Sequence, residues 1–126
     1  MLLRNQVRDP FFPECPVRNV ISRIGGKWPI LILLTLEGSD KPLRFKNLRQ
    51  TITDISDKML TVTLHDLEAD GLIIRIAHNE MPPRVEYTLS DRAKSLMPHI
   101  NALVDWAIVN INEIVASREA YYNMQL

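Results

Sequence analysis

The stretch Ser56-Asp57-Lys58-Met59-Leu60-Thr61-Val62-Thr63-Leu64-His65-Asp66-Leu67-Glu68-Ala69-Asp70-Gly71 decides how the rest of the chain is read. Ser56 has the hydroxyl favoured at a helix N-cap, Asp57 is a first-turn acid that complements the helix dipole, and Gly71 stops the helix. At about 100° per residue, Leu60, Leu64 and Leu67 fall in one narrow stripe, while Lys58, Val62, His65 and Ala69 face the opposite way. One face of a helix over Ser56 to Asp70 is therefore core, and the other is free to touch something.

Upstream, Phe45, Leu48 and Ile52 give a helix of about two turns, with Thr53 to Ile55 as the turn that joins it to Ser56. Leu43 to Phe45 reads as a short strand before it. Trp28, Ile30 to Leu34 and Leu36 form an almost wholly apolar run closed by Gly38, a buried helix with Pro29 in its first turn. Pro16 opens an earlier helix, in which Val17, Val20, Ile21 and Ile24 follow at helical spacing until Gly25 and Gly26 end it.

Downstream, Ile73 to Ala77 and Val85 to Leu89 are β-branched runs separated by a connection containing Asn79, Pro82 and Pro83, the pattern of a β-hairpin with a stiff loop. After Ser90, Leu96, Ile100, Leu103, Ala107, Ile111 and Ile114 recur every three or four residues, with Val104, Ile108 and Val115 widening the stripe into a helix of about 91–116. Pro98 is expected to kink this helix or mark its restart. The order helix, helix, strand, helix, turn, helix, hairpin, helix defines a mainly α fold with a small β-hairpin, a winged helix-turn-helix with an added C-terminal helix, in a single domain over 1–126.

Fifteen basic residues balance fifteen acidic ones across 126 residues. Between Lys41 and Arg92 the balance is again even, eight against eight. Affinity for DNA comes largely from lysine and arginine at phosphates, so a DNA-binding face here has to be a local patch made by placement. No run of eighteen apolar residues occurs, and Met1 to Pro13 carries Arg4, Arg8 and Asp9, which reads as neither a signal segment nor a membrane span. Cys15 is the single cysteine, which excludes an intrachain disulfide and a four-cysteine zinc cage and fits a reducing cytoplasm. His78 and His99 lack partners at ligand spacing, so no metal or cofactor is expected. Neither a glycine-rich phosphate loop nor a nucleophile with its base is recognisable, and the chain reads as something other than an enzyme.

Several blocks occur in fixed order: Cys15-Pro16, Ile24-Gly25-Gly26-Lys27-Trp28, Leu43-Arg44-Phe45, Ile55-Ser56-Asp57-Lys58-Met59-Leu60-Thr61, Leu67-Glu68-Ala69-Asp70-Gly71-Leu72-Ile73 and Pro82-Pro83-Arg84-Val85-Glu86-Tyr87. Over about 15–106 the chain resembles the HxlR family of bacterial regulators, related in architecture to MarR-type proteins. The resemblance implies a homodimeric transcription regulator that binds double-stranded DNA. It also implies a role for Cys15, since some relatives use a cysteine there to sense electrophiles or oxidants. One departure stands out: the family usually carries arginine where this chain has His65.

Lys58, Thr61, Val62 and His65 are the candidate groove-reading residues. Lys58 has reach to a phosphate or guanine edge, Thr61 to a hydrogen-bond partner or thymine methyl, and Val62 offers apolar contact. Ser56 caps the helix and has a free lobe toward a phosphate, and Arg44 and Lys46 read either as grips on the backbone flanking the groove or as solvated surface. Asp57 repels phosphate and is excluded from the set. Arg84, at the end of the wing, reads either as a minor-groove or phosphate contact or as an ion-pair partner of Glu80 or Glu86.

Cys15 reads either as a thiol sensor at a helix start or as an inert small hydrophobe. Trp28 and Trp106 read as packing residues or as the lining of an effector pocket. The stripe Leu96, Ile100, Leu103, Ala107, Ile111 and Ile114, together with Val20, is wider than one small domain needs and reads as the dimer interface, with His99 near it. The expected partners are a pseudo-palindromic operator, a second copy of the chain, and an effector that is a small molecule or an electrophile, with no membrane. The competing function is a winged helix that contacts protein without binding DNA.

Overall fold

A computed structural model describes residues 15–124. The reading of Met1 to Pro13 falls outside the described residues. Among the described residues there are five helices and three strands. α1 is a π-helical turn, Val17–Ile21, continued by the α-helical Ser22–Ile24; α2 is Lys27–Glu37; β1 is Leu43–Arg44; α3 is Phe45–Thr51; α4 is Asp57–Ala69; β2 and β3 are Ile73–His78 and Arg84–Leu89; α5 is Asp91–Met124. The fold divides into one unit ending at Ser95 and a second beginning at Leu96, so α5 contributes to both.

α4 has the ends its sequence demands. The Met59 amide donates to Ser56 Oγ at 3.0 Å, relieving one unpaired donor of the first turn. At the other end Gly71 takes φ +72°, the Gly71 amide donates to Glu68 O and the Leu72 amide to Leu67 O. These two bonds form a Schellman motif, and the buried pair Leu67 and Leu72 supplies its apolar contact. Any side chain at Gly71 would meet the Arg92 guanidinium, whose Nη1 donates to Asp70 O at 2.8 Å.

The stripe Leu60, Leu64 and Leu67 is buried, as are Ile32, Leu33 and Leu36 of α2, Leu48 of α3, and Ile52 and Ile55 around the turn. Pro29 stands in the first turn of α2, where its missing N–H leaves no intrahelical bond unmade. Thr63 is the buried polar residue of α4, and its hydroxyl donates to Met59 O at 2.7 Å. Full burial of a leucine stabilises the fold by about 2 kcal/mol, so the α4 stripe outweighs the weak helix propensity of Val62, Thr61 and Thr63 on the same helix.

The hairpin carries β1 on its other side, giving one antiparallel sheet in the order β1-β3-β2, with Leu43 opposite Tyr87, Ile73 opposite Leu89 and His78 opposite Arg84. The expected first strand is one residue shorter than read, because Phe45 opens α3; there Asn47 Oδ1 accepts from the Arg44 amide at 3.0 Å. Ser90 ties the start of α5 to the end of α4: its Oγ accepts from the Ala93 amide and donates to Gly71 O at 2.7 Å.

α5 departs from expectation in its length. It does not restart at Pro98, which lies inside one continuous helix, and it continues to Met124, beyond the expected end near residue 116. Proline in a helix interior removes one hydrogen bond, and here the cost is spread over a helix of 34 residues whose later part, including Ala116, Arg118, Glu119 and Ala120, favours the helical state. The buried side chains near its start are Ala93, Met97 and Ile100. Leu96, Val104 and Ile114 are half-buried, whereas Leu103, Ala107 and Ile111 are exposed.

The two faces of α4 have opposite sensitivities. Leu64→Ala is expected to cost about 3 kcal/mol of unfolding free energy, within the range for truncating a buried leucine, and Val62→Ala about 0.5 kcal/mol or less. Urea denaturation of the two variants measures both, and similar losses would contradict this division of the helix.

Candidate nucleic-acid interface

The exposed face of α4 presents Lys58, Thr61, Val62 and His65 together, all reached by solvent. Val62 keeps 44% of its surface exposed, which a β-branched apolar residue in a core stripe would not. The Thr61 hydroxyl donates to Asp57 O at 2.8 Å, and the residue stays exposed. Ser56 caps the helix as described and is itself exposed. Lys46 is exposed on α3 and Arg44 is half-buried just before it.

The charges at this end of the molecule are sorted by pairing. Asp54, in the turn between α3 and α4, accepts from Lys27 Nζ at 2.9 Å. Asp57 accepts from Arg49 Nε, and Arg49 Nη1 donates to Ile55 O at 2.9 Å. Arg23 Nε binds Asp70 at 2.7 Å and its Nη2 lies 3.9 Å from Asp66. Lys27 Nζ also stands 4.3 Å from the centroid of the Trp28 ring, a cation–π contact that gives Trp28 a packing role. Asp54, Asp57, Asp66 and Asp70 are thus held by cations of α1, α2 and α3. A segment neutral in sum therefore leaves Arg44, Lys46 and Lys58 without an acidic partner among the described residues.

The sequence placed Lys58, Thr61, Val62 and His65 on one face and the structure does the same, but it gave no sign of Arg23, Lys27 or Arg49. Their partners lie 47, 27 and 8 residues away, and no periodicity connects such positions.

In the wing, Arg84 Nη2 donates to Glu80 Oε1 at 3.0 Å, and His78 Nε2 and Glu86 Oε1 are 2.5 Å apart. Of the two readings of Arg84, the pair with Glu80 is the one formed here. Its Nε is buried with no hydrogen-bond partner, so the guanidinium is only partly satisfied by this pair.

Cys15 is 2% exposed and lies directly before α1. Val17, Val20 and Ile21 of α1 are exposed, as are Leu103, Trp106, Ile108, Val109, Ile111 and Val115 of α5. Trp106 is 58% exposed, which removes it from the core of this chain. No group of three or more metal-ligating side chains occurs among the described residues, and no helix there is long and apolar enough to cross a membrane.

A helix-turn-helix with a capped, solvent-facing second helix, followed by a hairpin wing, defines a DNA-binding transcription regulator. The chain belongs to the HxlR-like helix-turn-helix family, whose model matches residues 23–115. It is 46% identical over 92 residues to an HTH-type transcriptional regulator of Methanothermobacter thermautotrophicus, covering 73% of this chain and 69% of that one. Among solved structures it is similar to the ytfH transcriptional regulator from Salmonella typhimurium, with a TM-score of 0.75 and 35% identity over 88% of this chain and 97% of that one. It is also similar to the redox regulator HypR in its reduced form, with a TM-score of 0.73 and 32% identity over 80% and 98%.

The Lys27–Asp54 pair can be read by titration. The hydrogen bond from Lys27 is the largest influence on Asp54 and lowers its carboxyl below the ordinary value of 3.8. A carboxylate lowered in the folded state adds stability above the unfolded value, and that contribution is lost as pH falls through the folded one. NMR titration should therefore find the Asp54 midpoint below 3.8 in the native chain, with Lys27→Ala moving it upward; an unchanged midpoint in the variant would contradict the pairing.

Proposed function

We propose that this chain acts in the cytoplasm as a homodimeric regulator, not an enzyme, that inserts α4 into the major groove of a pseudo-palindromic operator. The observation that carries the reading is the exposed face Lys58, Thr61, Val62 and His65 on a helix whose other face is fixed in the core. Lys58 serves a phosphate or a guanine edge, Thr61 a base or a thymine methyl, and Val62 an apolar contact; His65 contributes a shorter donor than arginine would. Ser56, Arg44 and Lys46 hold the flanking backbone. Arg84 contacts the adjacent groove or phosphate after exchanging Glu80 for the stronger field of DNA.

Dimerisation is supported by the apolar surface that the isolated chain leaves bare. Val20 of α1 is exposed, and on α5 Leu103, Ala107 and Ile111 are exposed and Leu96 and Ile114 half-buried; Ile100, expected at the interface, is instead buried within the chain. Covering these apolar side chains with a second copy removes them from water and pairs two recognition helices about a two-fold axis, with half-sites roughly 34 to 36 Å apart. The whole chain then acts as one domain of the HxlR type, with α5 as its dimerisation helix.

The similarity to a redox regulator supports Cys15 as the residue through which an oxidant or electrophile acts. Its burial means that reagent access requires local opening around Cys15.

Fluorescence anisotropy against duplex DNA from upstream of its own gene, beside scrambled DNA, tests the function. Binding should prefer the upstream duplex and weaken with salt at a logarithmic slope of about 0.9 per neutralised phosphate. Lys58→Ala should cost about tenfold in affinity and lower that slope by about 0.9. No DNA binding even at low salt would contradict the reading and favour a protein-contact winged helix. Sedimentation equilibrium at micromolar concentration should give twice the 14.5 kDa chain mass, and a monomer would overturn the dimer. A thiol-specific oxidant should change DNA binding of the native chain and leave Cys15→Ala unaffected; an equal response of both would remove Cys15 from the account.

A further inference from the structure

Asp57 occupies a position that the DNA-reading role does not by itself explain. Thr61 follows it one turn on, about 40° round the helix, so the acid stands at the flank of the groove-reading face, between that face and the core stripe, at the N-terminal end of α4. Its side chain is 74% exposed and adjoins Ser56 and Lys58. A bare carboxylate there would meet the densest negative charge in the complex, since DNA carries one phosphate charge per roughly 1.7 Å of axis. First-turn stabilisation through the helix dipole is the benefit of the acid, and it is worth only about 0.3–1 kcal/mol at an exposed site.

Arg49 is the group that makes this tolerable. It projects from α3, is half-buried, donates from Nε to the Asp57 carboxylate and from Nη1 to the Ile55 carbonyl. The fork therefore grips the turn and the first residue of α4 at once, a geometry that the single ammonium of lysine does not reproduce. We propose that Arg49 is a positioning residue for DNA recognition, neutralising Asp57 and anchoring the Ile55 carbonyl so that the first turn of α4 enters the groove without a repelling charge. Arg49 itself contacts no phosphate in this scheme. The inference rests on the major-groove placement of α4 proposed above.

The test is a double-mutant cycle on the full-length chain: native, Arg49→Ala, Asp57→Asn and the double variant, each titrated by anisotropy against the preferred upstream duplex over a salt series. Arg49→Ala is expected to weaken binding about tenfold at low salt, with the loss shrinking as salt screens the added repulsion. Adding Asp57→Asn should recover most of that loss, to within about threefold of Asp57→Asn alone. Arg49→Lys, which keeps the charge but not the fork, should fall between the native chain and Arg49→Ala.

Two results would overturn the proposal. One is a double variant as weak as Arg49→Ala with a slope lower by about 0.9, which would make Arg49 a phosphate ligand. The other is weaker binding by Asp57→Asn with Arg49 intact, which would make Asp57 a base reader. This second arm stands whether or not Arg49→Ala folds. Failure of the underlying placement is distinguishable, since the native chain would then show no preference for its duplex at all.

Discussion

The burial of Leu60, Leu64 and Leu67 fixes the rotation of α4 about its own axis, and nearly everything else in the molecule follows from that rotation. With the leucines inside, Lys58, Thr61, Val62 and His65 have no choice but to face water. The Ser56 cap and the Schellman motif at Gly71 fix where the helix begins and ends, so its register is held as firmly as its rotation. Turning the helix would bury Lys58 and expose three leucines, an exchange costing several kcal/mol in apolar area and more in an unpaired buried charge.

Charge enters as a second constraint, and it acts by position. A segment with eight basic and eight acidic residues looks unsuited to a polyanion. Pairing resolves this: Asp54, Asp57, Asp66 and Asp70 are each engaged by a cation from a neighbouring helix, while Arg44, Lys46 and Lys58 carry no such partner among the described residues. These exposed pairs contribute little to stability individually. Their consequence is electrostatic, because they remove negative potential from the edge at which DNA would approach.

The helix-turn-helix was legible because its information is local. Ser56, the leucine spacing and Gly71 lie within sixteen consecutive residues, and propensity, periodicity and capping all agree there. What escaped is non-local or competitive. The pair Arg23 and Asp70 spans 47 positions, and nothing in either neighbourhood announces it. Pro98 was read as a kink or a restart, and of these the restart is absent, because one missing hydrogen bond did not outweigh the helix on both sides of it. Along α5 the periodicity found a stripe but not its depth: Ala93 and Met97 are buried while Leu103 and Ile111 are bare, because burial depends on what lies opposite and not on hydrophobicity alone. For Arg84 the sequence held a groove contact and an ion pair open, and in the chain by itself the pair is made with Glu80 and not Glu86.

The central claim, that α4 has one face for the core and one for DNA, is tested most directly by amide chemical-shift mapping during titration of the labelled chain with duplex DNA from upstream of its gene. The account predicts the largest changes at Ser56, Lys58, Thr61, Val62 and His65, with smaller ones at Lys46 and around Arg84. Changes confined to α1 and the far part of α5, with α4 silent, would contradict it.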